Sequence, residues 1–480
     1  MNHWLIQLFL YTGLQVACFL LGLQINEKLR TTYPSLTVLP ITLIGLVVAS
    51  ATWVIAMSSG KSKQAGISLL LTWQFILAVL ALSVLSVFAL RYLGLDLSRS
   101  KAILLVLQVL FTTPICYLTG REVSTWNTSL IFRSKVFQKI LAALFGIFFC
   151  VACVTASESF FGFLLSRRLP GPTKEYLGDY LAPGAFFRHD PNLGTGLEKT
   201  RRVKCELIVN GKQLWDVQYG TDDFGRRIST TVASSAPNRF AIFFGCSFLF
   251  GEGSNDDQTI PSQFAKVLPE YRSYNYGVPG YGPQQMLAIL ESERLPTEVK
   301  EKHGVGFYLY LPEVHESRAV GEMDIVNGFG ADFPFYYLNR NGDVVRNGQF
   351  NNGRKLTNTI YSILGKSRTR QYFGLNFPRR QTAHYQLTAA IIERSSQLFK
   401  QQFPGSDFFL IVYPNKISAP LSMPNELKGS SVAVINLSKL FDPNDTDYQF
   451  VGDGHPTPKA NHALASALPE SIDVEPNNQQ

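Results

Sequence analysis

AIFFGCSFLFGEGS, residues 241–254, is the stretch on which the reading of the whole chain turns. A short apolar run, Ala241 to Phe244, stops at Gly245. Cys246 and Ser247 follow, then glycines at 251 and 253. An apolar run of this length bounded by glycine predicts a buried strand feeding a tight turn. A small hydroxyl residue just past such a strand can be held rigidly with its Oγ exposed, as a serine nucleophile requires. An ordinary strand-to-helix turn in which the serine caps the helix fits the same letters.

Working outward, strand and helix patterns alternate. A helix is expected over 260–268 and a short strand over 271–276, leading into Gly277-Val278-Pro279-Gly280-Tyr281-Gly282. A helix starts near Pro283, and 305–311 (VGFYLYL) reads as a buried strand. Residues 320–380 are rich in glycine, asparagine and aromatics with little regular period, and read as an insertion over one face. A helix at 382–402, a strand at 407–413 and a last helix at 457–468 complete the pattern of a parallel-sheet α/β domain. Ahead of it, 187–232 contains alternating stretches around Asn210-Gly211, a strong hairpin signal. Residues 160–186 mix glycine, proline and aromatics as a juxtamembrane connector would.

A serine is a poor nucleophile until an imidazole takes its proton, and the imidazole needs a carboxylate to fix its tautomer. Asp453 and His455 stand in a glycine- and proline-bounded turn just before the last helix, where i and i+2 can face one pocket. A cap or turn aspartate beside a surface histidine is the plainer alternative. Gly280 lies where an unobstructed backbone N–H could meet an oxyanion, although Val278-Pro279-Gly280 is also an ordinary turn.

The Gly245-Cys246-Ser247-Phe248, Asn275 to Gly282 and Asp453-Gly454-His455-Pro456 blocks, in this order, resemble those of the SGNH hydrolases, or GDSL esterases and lipases. The resemblance covers roughly 238–470 and implies a flavodoxin-like three-layer α/β/α domain with a parallel sheet. It implies Ser247 as nucleophile, His455 as base, Asp453 as its orienting acid and Gly280 as an oxyanion donor. Cys246 replaces the family's usual aspartate in the first block and is not read as the nucleophile. After the third strand the family places an asparagine. Here Tyr310 to Arg318 contains none, and His315 is the replacement donor considered.

The first third of the chain differs from the rest. Five nearly uncharged apolar runs, at 4–24, 35–57, 67–90, 102–120 and 139–159, are long enough for membrane helices. The expected organisation is therefore a membrane α-helical region over 1–160, a connector with a small β element over 161–237, and an α/β domain over 238–475. The nearly balanced loop charges tip the N-terminus inside, which places the catalytic domain outside the cytoplasm. A net charge of +8 without any Lys/Arg-rich tract argues against nucleic-acid binding. Of six cysteines, Cys150 and Cys153 form a CxxC inside an apolar run, where small buried side chains are expected rather than a metal or redox site. No cofactor and no metal are expected. The expected partners are the lipid bilayer and an acylated substrate.

The function expected is a membrane-anchored serine esterase acting on acyl, foremost O-acetyl, esters of an envelope glycan or a lipid. The alternatives are an O-acyltransferase acting on such a glycan, which shares the first half-reaction, and a non-catalytic glycan-binding domain of the same fold.

Overall fold

A computed structural model describes residues 154–155, 157–168, 171–230, 237–415, 423–427 and 430–472. The chain divides into two compact units, one reaching Arg168 and including Ser367–Phe373, the other comprising Leu169–Lys366 and Gly374 onward. In the first, a helical stretch over 157–166 meets a short helix, Arg368–Phe373. The Glu158 carboxylate accepts hydrogen bonds from Ser367 Oγ and the Arg368 and Thr369 backbone N–H groups.

No helix among the described residues is long and apolar enough to cross a membrane. That finding overturns the multi-pass, extracytoplasmic placement expected from the apolar runs. Four of those runs and most of the fifth lie outside the described residues.

The second unit opens with five strands: β1 (Lys174–Leu177), β2 (Phe187–Asp190), β3 (Gly194–Leu197), β4 (Arg202–Val209) and β5 (Lys212–Gly220). β1, β4 and β5 form one antiparallel sheet, and β2 pairs with β3. Asn210 and Gly211 carry φ of 51° and 75° and turn β4 into β5, as a tight hairpin demands. The buried residues of these strands, Cys205, Leu207, Trp215 and Tyr219 among them, join the core beneath the main sheet.

The main sheet is built from β6 (Arg239–Gly245), β7 (Tyr271–Gly277), β8 (Gly304–Tyr310), β11 (Asp407–Val412) and β12 (Ala433–Asn436). It runs β12-β11-β8-β6-β7 and is parallel throughout. Counted by appearance, the strands lie second, first, third, fourth, fifth, the flavodoxin-like winding. Such sheets bind ligands outside the strand C-termini where the order reverses, here between β6 and β8.

Both faces of the central strands β6, β8 and β11 are buried, which is why these three read as continuous apolar runs. Phe240, Ile242 and Phe244 face one side with Tyr308 and Tyr310, while Ala241 and Phe243 face the other with Phe307 and Leu309. The second face is covered by α2 (Ile260–Val267) and, from the end of the chain, α7 (Pro458–Ala467). Thr259 and Thr457 cap them, their hydroxyls accepting from the Ser262 and Ala460 N–H groups. The first face is covered by α3 (Pro283–Glu291) and α6 (Thr382–Gln402). The architecture is thus a three-layer α/β/α sandwich.

The stretch expected to lack regular period holds a hairpin, β9 (Pro334–Leu338) with β10 (Val344–Gln349), and a ten-residue helix, α5 (Lys355–Leu364).

Gly304 begins β8 where the strand touches its neighbour. A Cβ there would stand 1.9 Å from the Phe240 carbonyl oxygen. Gly304→Ala is expected to push β6 from β8 and cost about 3 kcal/mol, read as a lowered urea midpoint with an unchanged slope.

Candidate active site

β6 ends at Gly245, and a single-turn helix, α1 (Ser247–Phe250), follows at once. Cys246 is its N-cap but makes no side-chain capping bond. It is fully buried against the second face of the sheet. Ser247 is the first helical residue, so its N–H has no acceptor within the helix.

The Ser247 Oγ lies 2.9 Å from His455 Nε2. The other ring nitrogen, Nδ1, lies 2.5 Å from Asp453 Oδ2. Hydroxyl, imidazole and carboxylate therefore stand in one line, although 208 residues separate the serine from the histidine. The ring of Phe248 packs on the imidazole at 5.4 Å and that of Trp215 edge-on at 6.5 Å.

The Asp453 side chain is almost fully buried and is held from outside the α/β sandwich. Lys174 Nζ on β1 donates to its Oδ1 at 2.9 Å and also reaches its backbone carbonyl at 3.3 Å. Burial alone would raise the Asp453 carboxyl, but the hydrogen bonds and charges of His455 and Lys174 outweigh it and hold it below the usual range. Burial likewise pulls His455 down. The Asp453 hydrogen bond and the charges of Glu252 and Asp453 reverse that and lift the imidazole above its ordinary value.

Gly280 lies in the loop leaving β7, next to the β6 end, because Gly245 and Gly277 are paired in register. Its φ is 88°, and the Phe329 ring lies against it. Arg318 Nη1 donates to the Tyr281 carbonyl at 2.6 Å, and the Gln285 side chain accepts from the Gly282 N–H at 2.8 Å. Arg318 belongs to α4 (Val314–Val320), so the segment after β8 shapes the glycine loop after β7.

His315 also lies in α4, and its ring is fully buried. Its Nδ1 accepts from the Leu311 N–H at 3.3 Å and meets the Tyr308 hydroxyl at 2.7 Å, while Nε2 has no hydrogen-bond partner among the described residues. Burial, then the Arg318 charge, pushes its basicity well below that of a free imidazole, so it is neutral. No hydrogen bond among the described residues joins it to Ser247, His455 or Asp453. The structure thus brings Ser247, His455 and Asp453 into direct contact, puts Gly280 on the adjoining loop, and keeps His315 in the interior.

Sequence reasoning missed Lys174, Tyr176, Trp215 and Glu252. Glu252 Oε2 is 3.4 Å from His455 Nε2, and the Tyr176 hydroxyl donates to its Oε1 at 3.5 Å. An acid between two glycines inside the opening stretch was a signal available for Glu252. Nothing local marks the other three.

A serine hydroxyl, an imidazole and a carboxylate bonded in this order can deprotonate the serine and return the proton to a leaving group. That is the apparatus of nucleophilic serine chemistry.

No family model and no curated protein matches the chain. Among solved structures, a lipolytic G-D-S-L family member from Veillonella parvula is 13% identical with a TM-score of 0.29, the match covering 49% of this chain and 100% of that one. An acetyl xylan esterase from Butyrivibrio proteoclasticus is 11% identical with a TM-score of 0.31, over 62% and 98% of the two chains. An acetyl-xylooligosaccharide esterase from Geobacillus is 12% identical with a TM-score of 0.28, over 51% and 99%. At these values the likeness bears on no residue or substrate. The chain is similar to G-D-S-L and carbohydrate-esterase proteins, and the reading of its site rests on the site's own geometry.

Proposed function

We propose that the protein is an SGNH-type serine esterase that removes small acyl groups, foremost acetyl, from the hydroxyls of a glycan. The observation that carries the reaction class is the contact line Ser247–His455–Asp453 at the C-terminal edge of β6. In the first half-reaction His455 Nε2 takes the Ser247 proton as Oγ bonds to the acyl carbonyl carbon. The developing oxyanion is met by the backbone N–H groups of Ser247 and Gly280. His455 then gives the proton to the departing alcohol oxygen, leaving an acyl-serine and a free hydroxyl. Water repeats the sequence in the second half-reaction and releases the carboxylic acid. Asp453 accepts the Nδ1 hydrogen bond throughout and offsets the imidazolium charge.

Support for a small acyl group comes from the depth of the serine, which is 8% exposed, and from the Phe248 ring packed on its base. Support for a sugar comes from Phe329, which is 55% exposed beside Gly280 and offers a flat apolar face.

The test is a substrate screen from p-nitrophenyl acetate through acetylated oligosaccharides to lysolipids. Acetate release from glycans without fatty-acid release from lipids is expected, and the reverse order would sink the substrate class. Ser247→Ala should lower kcat by roughly 10⁴-fold or more and abolish labelling by a fluorophosphonate. Cys246→Ala should keep both, since the thiol is sealed in the core.

The pH dependence has a definite sign. The base acts only when neutral, and the folded protein lifts His455 above 6.5. Activity is therefore lost as pH falls through a midpoint above 6.5, measured as the acid limb of kcat/KM.

A further inference from the structure

The steps above give no task to the buried acid nearest the base. Glu252 lies in the turn after α1 between Gly251 and Gly253, whose φ of 84° and 82° only glycine adopts freely. That double turn aims the carboxylate back at the imidazole. Its Oε2 is 3.4 Å from His455 Nε2, the same nitrogen that faces Ser247 Oγ. Asp453 holds the opposite nitrogen. The imidazole therefore has a carboxylate at each ring nitrogen, and the Tyr176 hydroxyl fixes the far oxygen of Glu252.

We propose that Glu252 is a positioning residue that acts through His455, holding the imidazolium formed when Ser247 is deprotonated, so that two acids rather than one set the strength of the base. The proposal rests on the serine-esterase reading. In the neutral ring Nδ1–H faces Asp453 and the Nε2 lone pair faces the serine. When Nε2 takes the serine proton, the ring gains an N–H at the site where Glu252 waits. The proton afterwards leaves to the alcohol oxygen, so Glu252 neither gains nor loses one. A base made stronger in this way removes the serine proton more readily once pH exceeds its midpoint.

The charges around the pair are few. His455 is faced by Asp453, by Glu252 and, beyond Asp453, by Lys174 of β1. Glu252 is faced by His455 and Asp453, by Tyr176 and Tyr180, and by Tyr219 and Cys205 from β5 and β4. Lys174 and Glu252 thus bear on the imidazole with opposite signs, which makes the proposal separable from simple packing.

The experiment follows the His455 ring by NMR of 13C-labelled histidine in the full chain as pH is varied, beside the pH profile of p-nitrophenyl acetate cleavage. Glu252→Gln is expected to move the His455 midpoint down and Lys174→Met to move it up. The acid limb of kcat/KM should follow each. For Glu252→Gln the plateau kcat should fall by about tenfold with KM little changed, as for loss of one charge-assisted contact. A Glu252→Gln midpoint equal to that of the parent, in protein that still folds, overturns the proposal even if activity drops. Should that variant fail to fold, Glu252→Asp withdraws the carboxylate by one methylene, and an unshifted midpoint there overturns it equally. A shifted ring midpoint with no ester cleaved anywhere in the screen would instead sink the esterase reading while the Glu252–His455 coupling stood.

Discussion

A buried cation fixes the ground on which the site is built. Arg227 is wholly enclosed, its guanidinium lying over the rings of Tyr219 at 4.3 Å and Phe250 at 4.5 Å. Its Nε meets Asp256 Oδ1 at 2.9 Å, and its Nη2 donates to the Ser254 carbonyl at 2.9 Å. Burial weakens its hold on its proton, and the Asp256 charge opposes that. Removing one partner of such a pair costs about 3–5 kcal/mol, because the other charge is left dry and alone. The arrangement persists because everything near it complies. Asp256 also accepts the Gly220 N–H, and the Tyr219 hydroxyl accepts the Gly253 N–H. The turn 251–256 is thereby locked to β5, and with it the end of the helix that starts at Ser247.

The antiparallel sheet therefore does more than precede the α/β sandwich. β1 presents Lys174 and Tyr176 on one side, two residues apart as the strand period requires. One reaches Asp453 and the other Glu252. β5 sends Trp215 against the imidazole and Tyr219 onto the glycine turn. The main sheet supplies Ser247 and its loop neighbours, while the small sheet holds the two acids that bear on His455.

Much of this was legible in the sequence. The strands at 241–244, 305–311 and 407–413 announced themselves as apolar runs because both faces are covered, whereas 271–276 (YRSYNY) is mixed and was marked by the glycine loop it enters. The helices after Thr259 and Thr457 carried their capping hydroxyls and first-turn prolines. Asn210-Gly211 named its own hairpin. What escaped was short or depended on distant partners. β1 is four residues, KEYL, with two charges, and only its pairing with β4 makes it a strand. β12 is equally brief and mostly exposed at the sheet edge. His315 had the chemistry of an oxyanion donor, but α4 turns its ring under β8, where Tyr308 and the Leu311 N–H engage it. In the region 320–380 the helical spacing of Leu356, Ile360 and Ile363 in α5 is lost among the glycines and asparagines around it; the three side chains lie exposed.

The distance along the chain between nucleophile and base has a consequence during synthesis. A ribosome emits residues in order, so Ser247 emerges 208 residues before His455. At typical elongation rates that gap is roughly 10–40 s. Through that interval the nascent sheet holds a serine with no imidazole to ionise it, and Lys174 waits for a carboxylate 279 residues downstream. The Ser247–His455–Asp453 line is thus incomplete until almost the whole described chain has been made. The final turn before α7 completes the line, so folding order itself decides when the three side chains meet.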